Sequence, residues 1–293
     1  MTPIKLRPWI VCVGCVLLGV GGTAARPQQP ETPKDQPEAK KSAWLHENYL
    51  QDASEYDFFL DEPRRQKLEL RREPVMRWTS SGDYNGEVYV WTHRGSAAVV
   101  GCIFSGPRGK TARSVMHEFH SVAPVPLHSD KKGGSRWSAE EPGITLEPIL
   151  GAPEPAKTQA RRLTQMRDLA RRFTAQVDRE GARSEMRLLP QPIYRYEIAD
   201  EDAAVIDGAI FTFVWTAGTD PEVLLVIEAR RTDRGVRWEY APARFTNREA
   251  WLKYQDKEVW RADPATVGIF DGVTTKRYGA FSVKAIANQA GER

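Results

Sequence analysis

A chain of 293 residues can hold one large domain or two small ones, and its 41% apolar content is enough for a packed core. Nine tryptophans and 10% aromatics favour a strand-rich globular body. The formal charge of +3 includes Lys5 and Arg7 in an acid-free leader; without them it is +1, which gives no electrostatic basis for binding nucleic acid or an anionic membrane.

Residues 1–25 read as a secretory signal. Lys5 and Arg7 form a positive start, Trp9 to Val20 is an apolar run too short for a stable membrane span, and Thr23-Ala24-Ala25 is a small-residue cleavage site. The expected destination is the periplasm, the cell surface or the medium. Cleavage removes Cys12 and Cys15 and leaves Cys102, so no internal disulfide can form. Cys102 lies in the apolar run Val99 to Phe104 and reads as a small core residue. Residues 26–45, rich in Pro, Gln, Glu and Lys, read as a disordered tether, and residues 46–285 as one globular domain with a frayed tail at 286–293.

Within that domain Ser54 is placed as the cap of a short helix, and Arg64 to Arg72 as a second one after Pro63. Glu87 to Thr92 alternates as a half-buried strand, followed by strands over Ala97 to Phe104 and Val115 to Val122. Residues 124–156 read as a long Pro- and Gly-rich loop. Lys157 to Val177 reads as one long amphipathic helix, because Leu163, Met166, Ala170, Phe173 and Val177 recur at spacings of three and four. Five arginines on its other faces read as a solvated basic face. The longest apolar stretch outside the leader follows. Ala209 to Trp215 and Val223 to Ile227 read as two strands around a Gly and Asp-Pro turn, at the centre of the sheet. Trp251 to Tyr254 and Glu258 to Trp260 form a small hairpin, and Tyr278 to Val283 a last edge strand.

Two segments resemble each other, about 50–123 and about 157–262. Pro74 to Trp78 matches Pro192 to Tyr196, Gly86 before a strand matches Gly208 before a strand, Val99 to Phe104 matches Val223 to Ile227, and His117 to Ser121 matches Arg237 to Ala241. The period is too long for a solenoid and indicates a duplicated unit. The expected class is therefore α+β, a mainly antiparallel sheet built from two related helix-plus-three-strand halves with one long amphipathic helix. The run from PVMRW through VYVWTHRG, VVGCIFS and HEFHS to RLLPQPIYRYE, DGAIFTFVWTAGTDPEVLLVIEAR and WEYAPARFT is similar to a set of exported proteins of planctomycete bacteria. It covers most of residues 50–262. The resemblance implies an exported protein and carries over no catalytic or binding residue.

Chemistry-bearing motifs are few. Gly106-Pro-Arg-Gly-Lys-Thr111 ends like a phosphate-binding loop, but Phe104 replaces its first glycine and a strand follows instead of a helix. There is no GxSxG elbow. On the strand His117-Glu118-Phe119-His120, Glu118 and His120 share a face and are candidate ligands for a metal such as zinc, with His93 or His128 as a possible third. No catalytic residue is assigned. The first expectation is a non-catalytic binding or envelope-associated protein with an unidentified envelope partner. The alternatives are a metal-assisted hydrolase using that strand, or a carbohydrate-binding module with its tryptophans in one exposed groove.

Overall fold

The computed structural model describes residues 35–131, 137–200, 203–216, 218–233, 235–265 and 275–288. The expected secretory signal, and the expected tether up to residue 34, lie outside them. The chain divides into a first unit, residues 1–40, of which only the first turns of a helix are described, and a second unit, residues 41–293, treated below.

In chain order, α1 (Asp35–Ser54) precedes β1 (Tyr56–Phe59), β2 (Glu69–Leu70), β3 (Met76–Ser80), β4 (Tyr84–His93), β5 (Ser96–Arg108), β6 (Ala112–Ser121) and β7 (His128–Lys131). After β8 (Glu147–Pro148) come α2 (Gln159–Ala170), β9 (Phe173–Arg179), β10 (Ala182–Leu188), β11 (Tyr194–Arg195), β12 (Val205–Trp215), β13 (Pro221–Thr232), β14 (Gly235–Arg244), β15 (Ala250–Tyr254), β16 (Lys257–Ala262) and β17 (Tyr278–Ala287). All strand pairs among the described residues are antiparallel.

A six-stranded sheet runs β17-β6-β5-β4-β2, with β3 also on β4; a nine-stranded sheet runs β16-β15-β9-β10-β12-β13-β14-β8, with β11 also on β12. Their inner faces share one apolar core, in which Val88, Val90 and Val100 of the first sheet meet Ile210, Leu224 and Val226 of the second. Leu45, Tyr49 and Ala53 of α1 cover the outer face of the six-stranded sheet, and Met166, Leu169 and Ala170 of α2 the outer face of the other.

This overturns the α+β class with a long amphipathic helix. The molecule is mostly antiparallel β-sheet, with two helices among the described residues. The expected 157–177 helix is α2, capped by the Thr158 side chain, followed by the strand β9. A spacing of four satisfies both the helical and the strand period, so Phe173 and Val177 fit either. Ala175, buried between them, shows that the strand period wins, since β9 pairs with β10 on one side and β15 on the other. At the other end, Ser54 closes α1 instead of opening a helix: its hydroxyl donates to the Leu50 carbonyl, 2.6 Å away. Residues 35–45 of the expected tether are part of α1, and Arg64 to Arg72 contains the short strand β2 in place of a helix.

The helix-plus-three-strand unit is also too small. In each half a helix is followed by six strands and then a seventh that returns to pair with the first, β7 on β1 and β15 on β9. The registers agree in detail. Leu70 faces Trp91 as Leu188 faces Phe213. Met76 faces Val88 as Tyr194 faces Ile210. Val88 faces Cys102 as Ile210 faces Val226. A β-bulge recurs at the same place, leaving Ala98 unpaired in β5 and Glu222 unpaired in β13. Beyond it, Val122 N–H donates to the Ala98 carbonyl as Phe245 N–H does to Glu222, both at 2.8 Å. This register aligns Glu118 with Ala241, which corrects the match of HEFHS to residues 237–241.

The Trp78 ring lies over Gly86 and the Tyr196 ring over Gly208. A Cβ at either glycine would sit 2.4 or 2.6 Å from ring carbon atoms. Gly86→Ala and Gly208→Ala should each destabilise the protein by about 1–3 kcal/mol through overpacking. Urea denaturation of the two variants measures this, and the pseudo-equivalence requires losses of similar size.

Candidate functional site

The HEFH strand lies in β6, and its alternation sends its side chains to different surroundings. His117 faces the α1 side and is fully buried. Its Nδ1 is 2.7 Å from the Tyr56 hydroxyl and its Nε2 3.1 Å from Asp52 Oδ2. Lys284 of β17 donates to the other Asp52 oxygen. Burial alone would raise the Asp52 pKa, but the hydrogen bonds from His117 and Lys284 hold it below the usual carboxylate value. This network ties α1, β1, β6 and β17 together.

Glu118 and His120 face the second sheet. His120 is buried, its Nδ1 2.7 Å from the Ser121 carbonyl, and burial pushes its pKa down to about 3, so the ring is neutral. His93 and His128 supply no third ligand here. His93 ends β4 at a separate cavity, and His128 in β7 contacts Glu62 at 3.2 Å. Among the described residues no group of three His, Cys, Asp or Glu side chains is placed to hold a metal ion.

Glu118 instead lines a cavity of about 310 Å³ where the two sheets separate. Its Oε1 accepts from the Tyr278 hydroxyl at 2.6 Å. Trp78, Phe104 and Phe245 supply aromatic lining, and Asp220, Glu222, Asn247 and Arg248 polar lining. Glu222 is the bulge residue of β13, and the bulge places its carboxylate beside Arg179, which donates to it. Asp220 Oδ1 is buried and receives no hydrogen bond among the described residues. Burial, opposed by the Tyr278 hydrogen bond and reinforced by the carboxylates of Glu222 and Asp220, pushes the Glu118 pKa up to about 7.

No protein-family model, no curated protein and no solved structure matches the chain. The site therefore stands on its own geometry.

Other candidate groups serve the fold. Cys102 touches the cavity but is buried, its sulfur 3.3 Å from the Trp78 indole nitrogen, and burial pushes the thiol pKa well up, away from nucleophilic use. Gly106 to Arg108 end β5, and Gly109 to Thr111 turn the chain into the strand β6. Of the helix arginines, Arg162 is buried against Asp207 and Arg171 pairs with Asp168. None of the described tryptophans is exposed, and Arg179 and Arg183 lie over Trp215 and Trp251 at 4.1 and 4.0 Å. Asp220 sits in what reads as turn chemistry, Glu222 at a bulge that no local signal marks, and Tyr278 at the far end of the chain.

Glu118 carries a pH signature. Its ordinary pKa is 4.5, and in the fold it is about 7. Between those values the folded state binds more protons than the unfolded one. The stability it contributes is full below pH 4.5 and is lost as pH rises to about 7. Glu118→Gln cannot titrate, so the variant should gain on the parent by about 1–3 kcal/mol across that window. Urea unfolding at pH 4.5 and 7.5 measures the gain; a constant difference between the two proteins would exclude the assigned environment.

Proposed function

We propose that this is an exported, non-catalytic binding protein of the cell envelope, with its ligand held in the Glu118 cavity between the sheets. The carrying observation is the Glu118 carboxyl, which the Tyr278 hydroxyl engages at Oε1, set in a cavity lined by the Trp78, Phe104 and Phe245 rings. A carboxyl lining a cavity accepts further hydrogen bonds, so a ligand bringing N–H or O–H donors to Glu118 is favoured there. Rings with an apolar face and donors at the edge, such as amino sugars, fit both features. Export is supported by the leader at residues 1–25. No described helix is long and apolar enough to cross a membrane.

The binding reading is favoured over catalysis by what surrounds Glu118. Tyr278 beside it has its pKa raised by burial and by Glu118 itself, and Cys102 is inert, so neither is an activated nucleophile. Calorimetric titration with glucosamine and with chitobiose tests the proposal. Saturable binding is expected, weakened about tenfold or more by Glu118→Gln, the scale of a lost charge-assisted hydrogen bond. Absence of binding to both would overturn it. Hydrolysis of a nitrophenyl glucosaminide that disappears in Glu118→Gln would replace it with an enzyme.

A further inference from the structure

The bulge repeated in the two halves opens a cavity in each. Around the first cavity, Pro221 and Glu222 at the bulge and Phe245 to Arg248 after β14 form one wall. The register makes Ala97 and Ala98, and Val122 to Val125, their counterparts in the first half. Those counterparts line a second cavity of about 440 Å³, on the other side of the inter-sheet core. The two cavities are thus the same structural feature made twice.

Their chemistry has diverged. Glu222 is replaced by Ala98, Thr246 by Ala123, Asn247 by Pro124 and Arg248 by Val125. The body of the second cavity is apolar, formed by Ala97, Val122, Ile144, Leu146, Ile198 and Val205. Charged groups also line it, the buried Glu228 among them, and they are matched with each other. Arg230 donates to Glu228 at 2.7 Å, Glu228 also accepts from the Tyr196 hydroxyl at 2.9 Å, and Arg94 lies 3.9 Å from Asp200. Burial, and then the Arg94 charge, lower the His93 pKa, which disfavours a positive charge on that ring. A ligand entering here meets apolar wall and paired charges.

We propose that this second cavity is a separate binding site for a small, uncharged, apolar molecule. Its volume falls within the roughly 300–1,000 Å³ of small-molecule sites, and small side chains at Ala97, Ala98 and Ala123 leave the space that their bulkier counterparts fill in the other half. The site does not depend on the ligand assigned to the Glu118 cavity.

The neutral fluorescent probe N-phenyl-1-naphthylamine tests it. The purified protein should bind the probe saturably, at one molecule per chain, with enhanced and blue-shifted emission. Ala97→Phe fills the cavity and should reduce affinity at least tenfold, and the milder Ala97→Leu should reduce it less. Thermal melts establish that each variant is folded, and Ala97→Leu with Val205→Leu serves if Ala97→Phe is not. Leu150→Ser, at an apolar side chain on the surface, reports adventitious surface binding and should change nothing. Absence of saturable binding, binding indifferent to filling of the cavity in folded variants, or binding lost in Leu150→Ser would each overturn the proposal.

Discussion

Everything in this molecule depends on the burial of two sheet faces against each other. Val88, Val90, Val100, Ile210, Leu224 and Val226 are all fully buried in that shared core. Apolar area removed from water is worth about 25 cal/mol per Å², and here it is removed without a disulfide, since Cys102 is a free, buried thiol. The constraint explains why β12 and β13 are apolar on both faces. Ile210 and Val226 point into the shared core, while Phe211, Phe213 and Leu225 point towards α2. A strand covered on both faces cannot alternate with polar residues. The bulge residues line the cavities: Glu222 one cavity and Ala98 the other.

The sequence makes the centre of the fold readable and its helices much less so. Residues 209–215 and 223–227 are continuous apolar runs around turn residues, and only a buried hairpin suits them. The 157–177 segment misleads because its last two apolar residues sit four apart, a spacing both periods share. The start of α1 misleads through composition: Pro, Gln, Glu and Lys obscure the Leu45, Tyr49, Ala53 stripe, and packing against the sheet, which no local signal encodes, decides the outcome.

The candidate site was half legible. Strand alternation places Glu118 and His120 on one face, away from His117, but nothing local shows that Glu118 meets Tyr278, 160 residues later, or a carboxylate at a bulge in the other half. The duplication is the missing guide. Once Gly86 under Trp78 is recognised as the counterpart of Gly208 under Tyr196, the remaining positions fall into register. The comparison then shows where the halves have diverged. At the cavity walls Ala98 stands against Glu222 and Val125 against Arg248, and in the β6 and β14 strands Glu118 stands against Ala241.

The central claim is that two equivalent halves form one cooperative body through their shared inner faces. Native-state hydrogen exchange followed by mass spectrometry tests it most directly. The account predicts that amides of β4 and β5 and amides of β12 and β13 exchange only through a common opening, with the same free energy and the same urea dependence. Exchange of one hairpin at a much lower free energy, while the other stays protected, would contradict it and make the halves independent domains.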